Sequence, residues 1–170
     1  MIDIQLHDRQ VRAALQRLQQ RLSDMTPVMS AIATALEAQV EKRFETATDP
    51  AGRPWKPLAP STLSAWLDRG RGNRKKDGSL SKKGRERLAS RKPLYDNGDL
   101  LGSLTSAANR TEARVGFGVP YAAFHEFGTS RMPRRGMLMG DPQARTLGEA
   151  ARQAVLDTLR EAIERAARGG

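Results

Sequence analysis

The chain has no cysteine in its 170 residues, only two histidines, and an aromatic content of 5%. Without cysteine there is no disulfide, no thiolate metal site and no cysteine nucleophile, and nothing marks an oxidising compartment. Synthesis in a reducing cytoplasm is the expectation. So few aromatics, within 38% hydrophobic residues, can fill one core with helical arms but not two. No apolar run approaches the ~20 residues of a membrane span. The first twenty residues carry Asp3, Asp8, Arg9, Arg12 and Arg17 with no apolar stretch between them, which does not suit a signal peptide. A soluble chain forming one domain over 1–170, with no membrane partner, is expected.

Catalytic patterns are scarce too. His125-Glu126 are adjacent and diverge by about 100° on a helix, so they cannot share a metal; no paired-histidine spacing exists elsewhere. The pair reads as partly exposed helix surface. Ser61, Ser103 and Ser106 lack a nucleophile elbow. Gly116-Phe-Gly118 runs into Val-Pro rather than a phosphate-cradling helix. His7, Asp96, Asp99 and Asp141 form no recognisable constellation. An enzyme is not expected, and no cofactor or metal is implied.

Positive charge is plentiful and concentrated. The net charge is +10, and residues 68–92 hold eleven Lys or Arg against three acids, a net +8. Gly70 to Arg85 contains one leucine and four glycines, too little apolar surface to offset the entropy of ordering it. Residues 68–92 therefore read as a mobile basic loop. Arg71, Arg74, Lys75, Lys76, Lys82, Lys83, Arg85 and Arg87 are its candidate contacts to phosphates, or to an acidic surface on a protein partner. With no aromatic among them, recognition of base sequence is not expected.

Periodicity supplies the rest. Asp3 can cap a helix whose stripe is Val11, Ala14, Leu15, Leu18 and Leu22; Thr26-Pro27 then looks like a cap and first residue of a second, to about Thr46, with Met29, Ile32, Ala33, Leu36, Val40 and Phe44 on one face. Together these are N-terminal helices over 3–46. Four prolines in residues 49–61 predict an ordered, irregular strap over 49–67, ending in a short helix capped by Ser61 and pinned to the core by Trp55 and Trp66. In 93–140, Asn97-Gly98 marks a turn, Asp99 caps a one-turn helix, and Leu104–Ala107 with Thr111–Val119 form a hairpin turning at Asn109-Arg110. Next come an aromatic helix presenting Tyr121, Phe124 and Phe127, closed by Gly128, and an extended run with Met137 and Met139 on one side. Asp141-Pro142 repeats the cap signature and predicts a C-terminal helix over 141–168, ending before Gly169-Gly170. The class is α+β: a small antiparallel sheet packed with long N-terminal and C-terminal helices.

Four pieces in order carry a resemblance. They are Gly52-Arg-Pro-Trp-Lys-Pro-Leu58 after Phe44, then Leu94-Tyr-Asp-Asn-Gly-Asp-Leu100 with Leu104, then Val115-Gly116 with Tyr121-Ala-Ala-Phe-His-Glu-Phe-Gly128, then Met132-Pro133 with Leu138. From Phe44 to Gly140 the chain resembles the phage virion morphogenesis family, which includes tail completion proteins of P2-like and Mu-like phages and is more distantly similar to those of HK97-like phages. Where that family commonly reads Met-Pro-Ala-Arg-Pro-Phe-Leu-Gly, this chain has Met132-Pro-Arg-Arg-Gly-Met-Leu-Met-Gly140. The resemblance implies a structural component of the tail or neck, made in the bacterial cytoplasm and carried in the virion. Its implied partners are copies of itself in a ring, a hexamer being one arrangement, and other tail and head-neck proteins; the +8 charge of residues 68–92 adds genomic DNA in the channel as a non-specific partner. Tyr121, Phe124, Phe127 and Trp55 are then candidate anchors of the core or of a protomer contact. The alternative is a DNA-binding protein in its own right that uses the basic loop.

Overall fold

Helix α2, Thr26–Thr46, is the axis on which the other elements are assembled. The structure is a computed structural model of the chain and describes residues 9–20 and 24–168. The cap expected at Asp3, the stripe residue Leu22 and the final Gly169-Gly170 lie outside the described residues. In α2 the apolar positions recur at three- and four-residue intervals from Val28 to Phe44, which puts them on one face about 24 Å long. Thr26 is already helical, so it is not the cap. The carboxylate of Asp24 accepts from both the Thr26 amide and its hydroxyl, at 2.9 and 2.7 Å.

The first half of that face meets the C-terminal helix α7, Glu149–Arg168, against which helix α1, Arg9–Gln19, also packs. Leu18, Met29, Ile32, Leu36, Ala151, Val155 and Leu159 close a cluster there. The second half, Val40 and Phe44, forms another cluster with Trp55, Leu100, Phe117, Ala122 and Met137 to Met139. Across both lies the antiparallel hairpin of β1, Leu104–Ala108, and β2, Ala113–Phe117. Its register pairs Leu104 with Phe117, Ser106 with Val115 and Ala108 with Ala113, so alternate residues share one face. Ser106 donates to the Glu37 carboxylate at 2.5 Å and ties the hairpin to α2. Helices packed around a small antiparallel sheet make the fold α+β, as expected.

Three expectations need correction. The C-terminal helix begins at Glu149, not at 141. Asp141 uses its side chain to accept from the amides of Gln143 and Ala144, and Arg145 is left-handed at φ 53°, so residues 141–146 close a turn instead. Short helices also start elsewhere than at the expected caps. Helix α3, Pro60–Asp68, is entered from Ala59 with Pro60 at its first position, and helix α5, Asp99–Gly102, from a left-handed Gly98.

The third correction concerns the basic stretch, which is folded and contains helix α4, Lys82–Ala89. Ser81 caps it by accepting from the Gly84 amide at 3.0 Å and donates to the Gly72 carbonyl at 2.6 Å. The fully buried Asn73 bridges its two sides: Nδ2 donates to the Leu67 carbonyl at 2.8 Å, and its own carbonyl accepts from the Ser81 amide at 2.9 Å. Gly84 lies so close under that carbonyl that a Cβ there would overlap it. Residues 71–82 thus form a narrow arm, bridged at Arg74 and Leu80, with its tip at 75–78. Composition correctly denied this segment an apolar core; hydrogen bonds from Asn73 and Ser81 order it instead.

Candidate functional site

Helix α6, Ala122–Phe127, is one and a half turns long and has two opposite faces. One is locked down. Glu126 is fully buried, and its carboxylate accepts from three successive amides: Met137 at 2.6 Å, Leu138 at 2.9 Å and Met139 at 3.1 Å. Arg134 answers it with an ion pair at 3.4 Å, and donates to the Glu126 carbonyl at 2.9 Å and the Met139 carbonyl at 2.7 Å. A buried carboxylate is tolerable only when its oxygens are fully engaged, and here they are.

The neighbouring arginines extend the clamp. Arg43 of α2 donates to the Met137 carbonyl; burial lowers its guanidinium to about 10, although Glu126 and then Asp49 pull the other way, so it stays charged at neutral pH. Arg135 reaches back to the Lys56 and Pro57 carbonyls at 2.7 and 2.8 Å, and Trp55 donates to the Gly136 carbonyl at 3.0 Å while its ring meets Phe44 edge-on at 5.3 Å. Trp55 is therefore a buried tie between the strap and residues 134–139. Gly128, at φ 76°, turns the chain where a Cβ would strike the Arg134 backbone.

The opposite face is open. Tyr121, Phe124 and Phe127, spaced by three residues, are 40%, 57% and 50% exposed. They do not fill the core of the chain; Ala122 and Glu126 occupy the inward side of this helix. A cleft of about 500 Å³ flanks the ridge, lined by Leu58, Tyr95, Tyr121, His125 and Met132. His125 stacks edge-on with Tyr121 at 6.2 Å, and burial, then the Arg135 charge, hold its imidazole below the usual value.

The eight cations expected to act together divide into two sets. Arg74 pairs with Asp68 at 2.5 Å, Lys83 donates to the Arg71 carbonyl at 3.0 Å, Arg85 to the Leu80 carbonyl at 2.8 Å, and Arg87 lies 4.6 Å from the Trp66 ring centroid. Those four hold the arm and α4 together. Arg71, Lys75, Lys76 and Lys82 are exposed, and their side chains make no hydrogen bond or ion pair among the described residues. Trp66 does not pin the strap to the core: it carries Arg87 and Arg91 against its ring and donates to Asp96 at 3.1 Å, docking α4 on α3.

Sequence reasoning missed Glu126, whose expected place was a partly exposed helix surface, and with it the role of Arg134 and Arg135. The available signal was the arginine pair set just before the apolar Met137-Leu-Met139, since charges beside a buried segment need a partner. Among the described residues no group of three or more His, Cys, Asp or Glu could hold a metal. Glu126 is spent on three backbone amides and on Arg134, which makes this side of α6 a rigid mount for the aromatic ridge.

The sequence model of the phage virion morphogenesis family matches residues 6–164. The chain is also 32% identical over 129 residues to the Mu-like prophage FluMu G protein 2 of Haemophilus influenzae, covering 75% of this chain and 71% of that protein. No solved structure matches. With the match running through the hairpin, the clamp and both long helices, the chain belongs to the phage virion morphogenesis family and has a structural role in building the virion.

Proposed function

We propose that this protein is a tail completion subunit at the neck, working as a closed ring of identical copies that join through the α6 ridge. The observation that carries this reading is the pairing of three exposed aromatics with a helix fixed from behind by Glu126. Exposed aromatics on a rigid mount are what a protein interface uses as anchors, because little conformational freedom is lost when they are covered. The adjacent cleft offers apolar walls for an incoming side chain. A head-to-tail contact whose rotation closes gives a ring and stops growing.

The test is the oligomeric state. The purified chain should give a defined multimer by mass photometry at two concentrations. Phe124→Ala/Phe127→Ala should shift it to monomer with a melting temperature near the parent protomer's, since neither ring is buried within the protomer. A double variant that keeps the parent multimer removes the ridge from the interface.

A further inference from the structure

The geometry points to the arm of residues 71–82 as a preformed, sequence-independent contact for the phosphate backbone of duplex DNA, made by Arg71, Lys75, Lys76 and Lys82. The contact is separate from the aromatic ridge and goes beyond the ring reading. Arg71 and Lys82 stand at the base of the arm, joined through the Ser81 hydroxyl on the Gly72 carbonyl, and Lys75 and Lys76 stand at its tip. The Arg74–Leu80 bridge and the Asn73–Ser81 hydrogen bond hold the two strands of the arm together, so the four cations are displayed on a built frame. An arm about 10 Å long lies along roughly six charges of a duplex, enough for four cations to each find a phosphate.

Two features favour nucleic acid over an acidic protein. Protein interfaces are rich in aromatic and depleted in lysine at their centres, whereas DNA-binding surfaces are polar and strongly positive. The arm's outer residues are lysine, arginine, glycine, serine and Asp77; its apolar residue, Leu80, is half-buried, and the Trp66 ring already carries Arg87 and Arg91. Nothing is left to stack on a base, so only the backbone is read. The second feature is a local cost. Helix α4 opens with Lys82 and Lys83 and has no acid in its first turn, which sets cations against the positive end of the helix dipole. A phosphate beside Lys82 relieves that opposition.

The experiment is fluorescence anisotropy of the full chain with two short DNA duplexes of different sequence, between about 50 and 200 mM salt. Both duplexes should bind alike. Affinity should fall roughly 10²-fold over that range, a logarithmic slope of about −3.6 for one bound protomer, and steeper in proportion where several copies share a duplex. Arg71→Gln/Lys75→Gln/Lys76→Gln/Lys82→Gln should flatten the slope toward zero at an unchanged melting temperature. Each single change should reduce the slope by about 0.9. A quadruple variant with the parent's slope would overturn the assignment, as would a polyglutamate chain binding more tightly than either duplex. The ring is tested apart from this: the Phe124→Ala/Phe127→Ala protein keeps all four cations, so its salt slope per protomer should match the parent's.

Discussion

Glu126 holds three amides and an arginine, so its substitution tests the clamp directly. Glu126→Gln keeps the shape but offers one acceptor where two stood, and turns an amino group toward the Met137–Met139 amides. Buried donors are then unpaired and Arg134 loses its charge partner, so thermal or urea unfolding should show a loss of about 3–5 kcal/mol. A loss under ~1 kcal/mol would mean that the carboxylate is dispensable. His125 gives a pH signature at the same site. Burial and Arg135 depress its pKa below 6.5, so as pH falls the unfolded chain takes up the proton first. Stability should therefore drop as pH falls from about 7 toward 5 and return as pH rises, a slope that His125→Gln removes. An unchanged slope in that variant would place the titration elsewhere.

Among the elements, the arm with α4 is the one held mostly by polar groups. Ser81 caps the helix and fastens Gly72, so Ser81→Ala should cost about 1–2 kcal/mol locally. Because the arm shares little with the two apolar clusters, the expected readout is faster tryptic cleavage within 71–87 at a nearly unchanged global melting temperature. A matching fall in both would show the arm to be part of the main cooperative unit. The long helices behaved as their stripes predicted because α2 and the body of α7 follow a three-to-four residue rhythm that burial rewards. Their ends did not, since Asp141 satisfied its own turn and Thr26 proved to be the first helical residue, its amide and hydroxyl held by Asp24 ahead of an N-cap at Met25.

For the whole molecule, two surfaces answer to different physics. Apolar association at the ridge should persist, or strengthen slightly, as salt rises, whereas phosphate contact at the arm should weaken steeply. Raising salt on a mixture of protein and duplex, followed by light scattering, should release the DNA while the multimer remains. Loss of both together would mean that the arm, not the ridge, joins the copies.

Sequence alone determined the class, the presence of a hairpin turning near Asn109, the exclusion of thiol chemistry, the order of the family's four motifs and the concentration of charge in 68–92, because each depends on local composition or spacing; the register, Ala108 against Ala113 across a four-residue loop, came only with the structure. Only the tertiary structure decided which side of α6 faces inward. It also set Glu126 against the amides of residues 137–139, and four basic side chains against the fold while four stayed free. Those outcomes rest on contacts between residues far apart in the chain, such as Arg43 with Met137 and Trp55 with Gly136, which no local pattern encodes.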